Sequence, residues 1–198
     1  MSRPQVPDLR RPVDQVAPEL LGCLLSAHGV TVRLTEVEAY GGQGADPGSH
    51  AHRGPTPRSA IMFGPAGRLY VYFTYGMHWC ANVVTGEEGE ASAVLLRAGE
   101  VVHGVERARE RRAGAPDREL CRGPARLARA LDLDARVLGL DLLDPASPVR
   151  LLPGADGGKV LAGPRVGVAA GADTPWRFWL EADPTVSAYR PAVRRVRT

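Results

Sequence analysis

Two charged side chains in otherwise apolar stretches of the chain could together activate a water molecule. Glu38 lies in EVEAY at 36–40, and Arg97 follows an apolar run in VLLRA at 94–98. A carboxylate can accept a proton from water, and an arginine that faces it keeps that carboxylate ionised. A glutamate at a strand end is more often simply solvated, and Arg97 could point to solvent as readily as into a site. The pair therefore predicts proton chemistry only if the fold brings both side chains together.

The position of Glu38 on its strand depends on the alternation of side chains. Counting by twos over 30–40 puts Glu36, Glu38 and Tyr40 on the face that begins with Val30. An acid on a face that begins apolar lies either at the wet end of the strand or in a pocket. We therefore expect Glu38 where this apolar face meets solvent or a cavity.

A second feature is an aromatic-rich hairpin, LYVYFTYGMHWCAN, at 69–82. Gly76 can adopt the positive φ that a tight turn needs, so Tyr75 is predicted at the exposed tip. An exposed aromatic ring there suggests a wedge that enters a base stack, because aromatic side chains stack well on nucleobases. Met77 and His78 flank the turn and are candidates for DNA-backbone contacts, although an ordinary turn residue is the simpler interpretation of His78.

Planar and amide side chains near these segments could recognise a base. Tyr40, His50 and Tyr72 could stack on the two faces of a flat ligand, although each alone is more often a packing residue. Asn82 lies on the return strand of the hairpin, where asparagine is disfavoured. A buried amide must find hydrogen-bond partners, so Asn82 is a candidate for base recognition.

The composition favours one ordinary globular domain. The chain has 198 residues and 44% hydrophobic residues, and its mean hydropathy is −0.17. We find no apolar run near the roughly 20 residues of a membrane span, and no apolar stretch follows the N-terminal charges as in a secretory signal. Cys23, Cys80 and Cys121 are widely spaced, so we expect reduced thiols in a cytosolic protein. We predict no metal and no cofactor, because neither histidines nor cysteines show ligand spacing.

The basic side chains are nearly all arginines, and they are clustered. The net charge is +3, Lys159 is the sole lysine, and eight arginines lie within 107–129, with a further group in RPAVRRVRT at 190–198. Such clusters suit contacts with phosphates. The equally strong alternative for 107–129 is a solvated helix face that Glu106, Glu110 and Glu119 balance.

The element pattern predicts an α+β fold. We expect a single domain over 14–198 after a flexible N-terminal lead-in over 1–13, with a curved, mostly antiparallel sheet, a protruding hairpin and flanking helices. The predicted elements are a helix from Asp14 to Leu21, strands Cys23–Ala27, Val30–Tyr40 and Ala91–Arg97, helices over 101–112 and 124–131, and later strands near 149–152, 160–168 and 176–180. The connection over 41–68 is long for a structureless segment, which suggests a functional loop.

Six segments of the chain resemble the alkyladenine (3-methyladenine) DNA glycosylase family in its bacterial form. They follow one another in order between about residues 15 and 180. The segments are EVEAY at 36–40, SHAHRGPTPR at 49–58, MFGPAGRLYVYFTYGMHWCANVV at 62–84, VLLRA at 94–98, CRGPARL at 121–127 and PRVGV at 164–168.

The resemblance implies a monofunctional glycosylase. Such an enzyme flips an alkylated or deaminated purine out of double-stranded DNA and hydrolyses its N-glycosidic bond, without a lyase step. Glu38 would then activate the attacking water, Arg97 would help hold that water, and the main-chain carbonyl of Val166 would be its third contact. The expected partner is DNA with damaged purines of the 3-methyladenine class, with hypoxanthine and ethenoadenine as further candidates, and no membrane or obligate protein partner.

The same resemblance implies roles in base recognition and DNA binding. Tyr40 would stack on one face of the flipped base, with His50 and Tyr72 on the other, and Asn82 would crowd the amino group of normal guanine. Tyr75 would fill the gap left in the helix. Arg126 stands where the family usually has a lysine that contacts phosphate, so we transfer its charge but not its geometry.

Two departures from the family pattern and two alternative functions remain. Gly48 replaces a residue that is commonly alanine, and Arg122 is larger than the small residue usual in that motif. A damaged-DNA binding module without turnover would use the same hairpin and arginines, but it would need neither Glu38 nor Arg97. A hydrolase of free nucleosides would have no use for Tyr75 at a hairpin tip. The range of lesions and the proton donor for neutral bases stay open.

Overall fold

A computed structural model describes residues 5–155 and 157–192, in which three α-helices and eight strands form a single α+β domain. The helices and strands are α1 Val13–Glu19, β1 Leu24–Ala27, β2 Val30–Tyr40, β3 Leu69–Thr74, β4 His78–Val84, β5 Ala93–His103, α2 Val105–Arg111, α3 Pro124–Ala130, β6 Val149–Leu152, β7 Val160–Gly163 and β8 Arg177–Leu180. Short 3₁₀ turns lie at Ala60–Phe63, Asp117–Glu119 and Ala135–Val137. The predicted fold class is confirmed.

The strands form one curled antiparallel sheet. Its main order is β3-β4-β5-β2-β1-β6, and β8 pairs with both β2 and β7. The long central strands β2 and β5 pair along most of their length, and the β3–β4 hairpin extends the sheet at one edge. α3 packs on β4 and β5, and α1 packs on β2. The two central strands therefore connect the hairpin to the rest of the sheet.

An extra residue in β2 changes which face its side chains occupy. Leu34 pairs with Gly99 and Glu36 pairs with Ala98, so Thr35 has no partner on β5. Such a β-bulge places two consecutive side chains on one side and reverses the alternation beyond it. Before the bulge the even-numbered residues of β2 therefore face the core, and after the bulge the odd-numbered residues do.

The prediction that Glu36 and Glu38 share a face with the apolar residues before them is consequently wrong. Leu34 and Val37 both lie in the main hydrophobic core. Glu36 and Glu38 point to the other side of the sheet, where both contact Arg97. A single inserted residue thus turns two carboxylates away from the core.

Two predicted strand boundaries, in β5 and in β7, are also wrong. β5 continues to His103, which pairs with Thr31 of β2, although spacing over 101–112 predicts a helix from its start. Pairing with β2 outweighs that local pattern, and Gly104 ends the strand with a φ of 74° before α2 begins. The later strand predicted over 160–168 stops at Gly163, because Pro164 lacks the N–H that a ladder needs.

The N-terminal segment differs in detail from the prediction. Pro12, not Asp14, occupies the N-cap of α1, and no side chain caps that helix. Leu9 is buried in the core, and its carbonyl accepts a hydrogen bond from the N–H of Gly86 at 2.9 Å. Residues 1–4, and the arginines at 194, 195 and 197, lie outside the described residues, so the flexibility of the lead-in stays a prediction.

Candidate active site

A cavity of about 250 Å³ lies on the face of the sheet opposite the main core. Its wall combines residues from β2, the hairpin, β5, the start of α3 and the segment after β7. Seven of the predicted site residues line it: Tyr40, His50, Tyr72, Tyr75, Asn82, Arg97 and Val166. Glu38, Met77, His78 and Arg126 do not line it. The fold thus collects most of the predicted base-binding residues around one cavity.

Glu38 lies directly behind this wall, with none of its surface exposed. One carboxylate oxygen, Oε2, accepts hydrogen bonds from the Tyr40 hydroxyl at 2.9 Å and from Nη1 of Arg97 at 3.3 Å. The other, Oε1, accepts from the main-chain N–H of Val166 at 2.6 Å. All three partners line the cavity, so they hold the carboxylate at its edge.

The contact with Val166 is made through its N–H group. The resemblance implies that the carbonyl of Val166 contacts the water, and that role stays a prediction. What the structure adds is a donor that fixes the carboxylate itself. A main-chain N–H is a rigid partner, so it defines the position of Oε1 more closely than a mobile side chain would.

A second bulge delivers Arg97 to the acids. Glu36 pairs with Ala98 and Val37 pairs with Leu96, so Arg97 is an extra residue on β5. Its guanidinium donates from Nε to Glu36 at 3.0 Å, in addition to its bond to Glu38. The bulge in β2 thus directs two carboxylates, and the bulge in β5 one guanidinium, to the same place.

Glu36 is the centre of a buried charged cluster that the sequence did not reveal. The cluster comprises Glu36, Glu38, Arg97, Arg177 and Ser187. Glu36 is fully buried and accepts hydrogen bonds from Nε of Arg97 at 3.0 Å and from Nε of Arg177 at 2.7 Å. It also accepts from the N–H and the hydroxyl of Ser187, at 2.7 and 2.9 Å.

The charges of this cluster balance one another. Burial by itself would raise the pKa of Glu36, but Arg97, Arg177 and the hydrogen bonds from Ser187 outweigh it, so the pKa lies below its ordinary value. Burial would lower the pKa of Arg97, yet Glu38 and Glu36 raise it. Arg97 therefore carries a full positive charge between two acids. The E-x-E spacing in EVEAY was the one available signal that Glu36 belongs to the site.

A buried ion pair supports Tyr40 from behind. Arg165 is 1% exposed and binds Asp46 through two hydrogen bonds, at 2.6 and 2.8 Å. Its guanidinium carbon lies 4.7 Å from the centre of the Tyr40 ring, and Nη1 also donates to the carbonyl of Ala39 at 3.0 Å. Burial and the nearby charge of Glu38 raise the pKa of Tyr40 well above its ordinary value. Tyr40 therefore keeps its proton, and its hydroxyl donates a hydrogen bond to Glu38.

Sequence reasoning missed this pair, and Asp46 and Arg165 are 119 residues apart in the chain. No periodicity links an acid in a long loop with an arginine after a strand. Gly48 makes the pair possible: a Cβ there would approach Nη2 of Arg165 to 2.9 Å and Val168 to 2.8 Å. The glycine at this position is thus required by the local packing of the present chain.

His50 and the hairpin tyrosines Tyr70 and Tyr72 form another part of the cavity wall. Nδ1 of His50 lies 3.0 Å from the Tyr70 hydroxyl, and its ring meets Tyr72 edge-on at 4.7 Å. Burial against these rings, together with the charge of Arg58, lowers the pKa of His50 to about 4. The imidazole is therefore neutral at neutral pH. Asn82, nearly buried, donates from Nδ2 to the carbonyl of Tyr70 at 3.0 Å, which fixes its carboxamide beside the cavity.

The tip of the hairpin is exposed and strained. Tyr75 is 86% exposed and has a φ of 51°, and Gly76 follows with a φ of 65°. The N–H of Met77 donates to the carbonyl of Thr74 at 3.2 Å, which closes a turn with two left-handed central residues, as in type I′ turns. Met77 and His78 are also exposed. Glycine or asparagine normally occupies the position of Tyr75, so the ring is held outward at a conformational cost.

The arginines of 107–129 are largely engaged at the surface. Arg109 pairs with Glu106 and Asp117, and Arg111 and Arg112 donate to main-chain carbonyls. Arg126 is 45% exposed and pairs with Glu119. The balanced-surface interpretation therefore describes Arg109 but not Arg111 and Arg112, and a phosphate contact by Arg126 stays a prediction.

Residues 5–155 and 157–192, which the structure describes, contain neither a metal-ligand cluster nor a membrane-spanning helix. No group of three or more His, Cys, Asp or Glu side chains in these ranges could hold a metal ion. No helix in them has the length and apolar character to cross a bilayer.

Comparisons with known proteins agree on one family. The family model described as "Methylpurine-DNA glycosylase (MPG)" matches residues 8–184. The chain is 54% identical over 196 residues to a protein of Streptomyces avermitilis, covering 94% of this chain and 92% of that protein. It is 50% identical over 195 residues to a Frankia casuarinae protein (93% and 92% covered) and 44% identical over 190 residues to one of Burkholderia cenocepacia (92% and 90%). All three are named "Putative 3-methyladenine DNA glycosylase".

Proposed function

The chain belongs to the methylpurine-DNA glycosylase family, and on that basis we propose that it is a monofunctional DNA 3-methyladenine glycosylase. It flips damaged purines of the 3-methyladenine class out of duplex DNA and hydrolyses the N-glycosidic bond. Hypoxanthine and ethenoadenine are further candidate substrates. One observation carries the proposal: a carboxylate with no exposed surface lies at the edge of an aromatic cavity, held by three donors that line that cavity.

Glu38 is the general base in this proposal. An ionised carboxylate has about four acceptor positions, and Val166, Tyr40 and Arg97 occupy three of them. The remaining position is the one for the attacking water, which has to pass the side chains that cover Glu38 in the free protein. Arg97 donates one hydrogen bond to this carboxylate, and its other bond to Glu36 fixes the position of its guanidinium.

The reaction needs water on the face of the sugar opposite the leaving base. As that base leaves, positive charge develops at the anomeric carbon, as in other glycoside cleavages. Glu38 removes a proton from the water while the water oxygen bonds to the anomeric carbon. The electron pair of the broken N-glycosidic bond goes to the base. A cationic lesion such as 3-methyladenine leaves as a neutral base, so one carboxylate suffices.

The aromatic wall supports recognition of the flipped base. Tyr40, His50 and Tyr72 all line the cavity, and in this proposal Tyr40 stacks on one face of the base and the other two rings on the opposite face. Stacking on aromatic rings stabilises a base by roughly 1–3 kcal/mol, which offsets part of the few kcal/mol that flipping costs. Tyr75 at the hairpin tip enters the space that the flipped base vacates.

The sole lysine has no place in this chemistry. Lys159 is exposed, pairs with Glu181 at 2.9 Å and does not line the cavity. A lyase step would need an amine to attack the sugar and form a Schiff base. Hydrolysis by water alone is therefore the expected outcome, and a covalent DNA adduct trapped with borohydride would contradict it.

The test is base release from short duplexes that each contain one 3-methyladenine, hypoxanthine or ethenoadenine, with an undamaged duplex as control. We expect release of at least 3-methyladenine and none from the undamaged duplex. Binding of lesion duplexes without any release would instead favour the damaged-DNA binding module. Release from free nucleosides, unaffected by salt, would favour a nucleoside hydrolase.

A further inference from the structure

A second cavity, of about 350 Å³, adjoins the aromatic cavity beside Glu38. Its charged lining consists of four arginines and one acid: Arg97, Arg122, Arg126, Arg190 and Glu119. Arg97 and Val166 line both cavities. A nucleotide whose base enters the first cavity would have its sugar beside this shared wall, and its phosphate would face the arginines of the second.

Glu119 already occupies these arginines in the absence of DNA. Its Oε1 accepts from Nη1 of Arg122 at 2.8 Å, and its Oε2 accepts from Nη1 of Arg126. Each carboxylate oxygen thus binds a different guanidinium. Two oxygens of one phosphate can bind arginines in the same way, with charge-assisted hydrogen bonds.

The two arginines differ in how firmly they are held. Arg122 also donates from Nε to the carbonyl of Val186 at 2.8 Å, so its direction is fixed without Glu119. Within the described part of the chain, Arg126 makes no hydrogen bond other than the one to Glu119. Exposed ion pairs of this kind are weak and are screened by salt. Arg126 can therefore exchange partners at little cost.

We propose that Glu119 is an internal substitute for a DNA phosphate, which a backbone phosphate replaces when DNA binds. In the free protein the carboxylate holds Arg122 and Arg126 at the mouth of the second cavity. In the complex a phosphate takes its place on Arg126 and on the outer side of Arg122. Glu119 thereby weakens binding to DNA in general while keeping the arginines in position. This inference rests on the proposed function, because it takes DNA as the ligand.

The experiment compares Glu119→Gln with Glu181→Gln, a matched loss of one negative charge from an exposed ion pair. Affinity for an undamaged duplex is measured at several salt concentrations. The Glu119 variant should bind about 2–5-fold more tightly than the Glu181 variant, which corresponds to the release of one weak ion pair. Its plot of log affinity against log salt should be steeper, by up to about one unit.

A double-variant cycle separates local exchange from a general charge effect. The gain from Glu119→Gln should fall when Arg126 is replaced by alanine and disappear when Arg122 is replaced as well, since the freed guanidinium groups are what binds the phosphate. Equal affinities for the Glu119 and Glu181 variants would overturn the proposal, as would a gain that is unchanged without Arg126. Glu119→Ala is a second variant for the same cycle, and melting curves show that each protein is folded.

Failure of this inference is distinguishable from failure of the proposed function. The exchange is measured with undamaged DNA and needs no base excision. If the native chain released no damaged purine, the proposed function would be wrong, whatever the affinities show. Normal release together with equal affinities would remove only the role of Glu119.

Discussion

Two of the regions where arginines meet carboxylates in this protein have opposite consequences. In the buried cluster, Glu36 and Glu38 hold Arg97 with almost no access of water, and Arg177 and Ser187 complete the hydrogen bonds. On the surface that we assign to DNA, Arg126 and Glu119 form an exposed pair.

The difference between the two regions is how easily a partner can be replaced. Removing one member of a buried pair leaves an uncompensated charge, which costs several kcal/mol. An exposed pair contributes little and exchanges readily. The interior therefore suits chemistry that needs fixed atoms, and the surface suits a ligand that must displace existing partners.

The largest expected effect in this comparison comes from Glu36→Gln, with Asp117→Asn as the matched change in an exposed pair with Arg109. The Glu36 variant should lose about 3–5 kcal/mol of unfolding free energy, because Arg97 and Arg177 are left partly uncompensated. It should also lower the excision rate by about 10²-fold through displacement of Arg97. Urea unfolding and single-turnover excision measure the two effects. The Asp117 variant should change neither beyond experimental error.

The pH dependence of unfolding distinguishes lost charge from lost packing at Glu36. Its pKa is lower in the folded protein than the ordinary 4.5. The carboxylate thus stabilises the fold fully above about 4.5, and this contribution disappears as the pH falls through the folded pKa. The stability difference between the native chain and Glu36→Gln should shrink in acid. A difference that stays constant with pH would show that packing, not charge, is responsible.

A smaller effect of mixed sign is expected at the hairpin tip. Asparagine tolerates the left-handed backbone of Tyr75 better than an aromatic residue does. Tyr75→Asn should therefore raise unfolding free energy by about 1 kcal/mol while weakening capture of a flipped base. Thermal unfolding and the fluorescence of an ethenoadenine duplex report the two changes. Unchanged base flipping in this variant would remove the wedge role from Tyr75.

The smallest expected effect is that of replacing His50 on the pH profile of excision. With a pKa of about 4, its ring is neutral from pH 5.5 to 8, although a free histidine titrates near 6.5. His50→Asn should reduce affinity for lesion duplexes through lost contact with the base, but the shape of the profile over that range should not change. A limb near pH 6.5 that the variant abolishes would show that His50 ionises during the reaction.

The sequence predicted those parts of the site whose signals are local. Alternating aromatic residues and Gly76 predicted the hairpin and its exposed tip. The resemblance identified the residues that gather at the cavity, and Glu38 and Arg97 are in contact as the pair required. Local patterns succeed here because a hairpin is determined by a few adjacent residues.

The remaining parts depend on pairing between distant strands. Thr35 and Arg97 are bulge residues only because of how β2 and β5 align, and alternation alone therefore put Glu36 on the wrong face. The support of Tyr40 by Arg165 and Asp46 joins a loop to a strand end. Neither feature has a spacing that a single sequence can reveal.

The most direct test of the catalytic assignment is single-turnover excision of 3-methyladenine by Glu38→Gln, measured beside the affinity of that variant for the lesion duplex. The amide keeps the size of the side chain but is a far weaker base. We predict that affinity is retained while the excision rate falls by about 10²–10⁴-fold. An undiminished excision rate would contradict the assignment of Glu38 as the group that activates water.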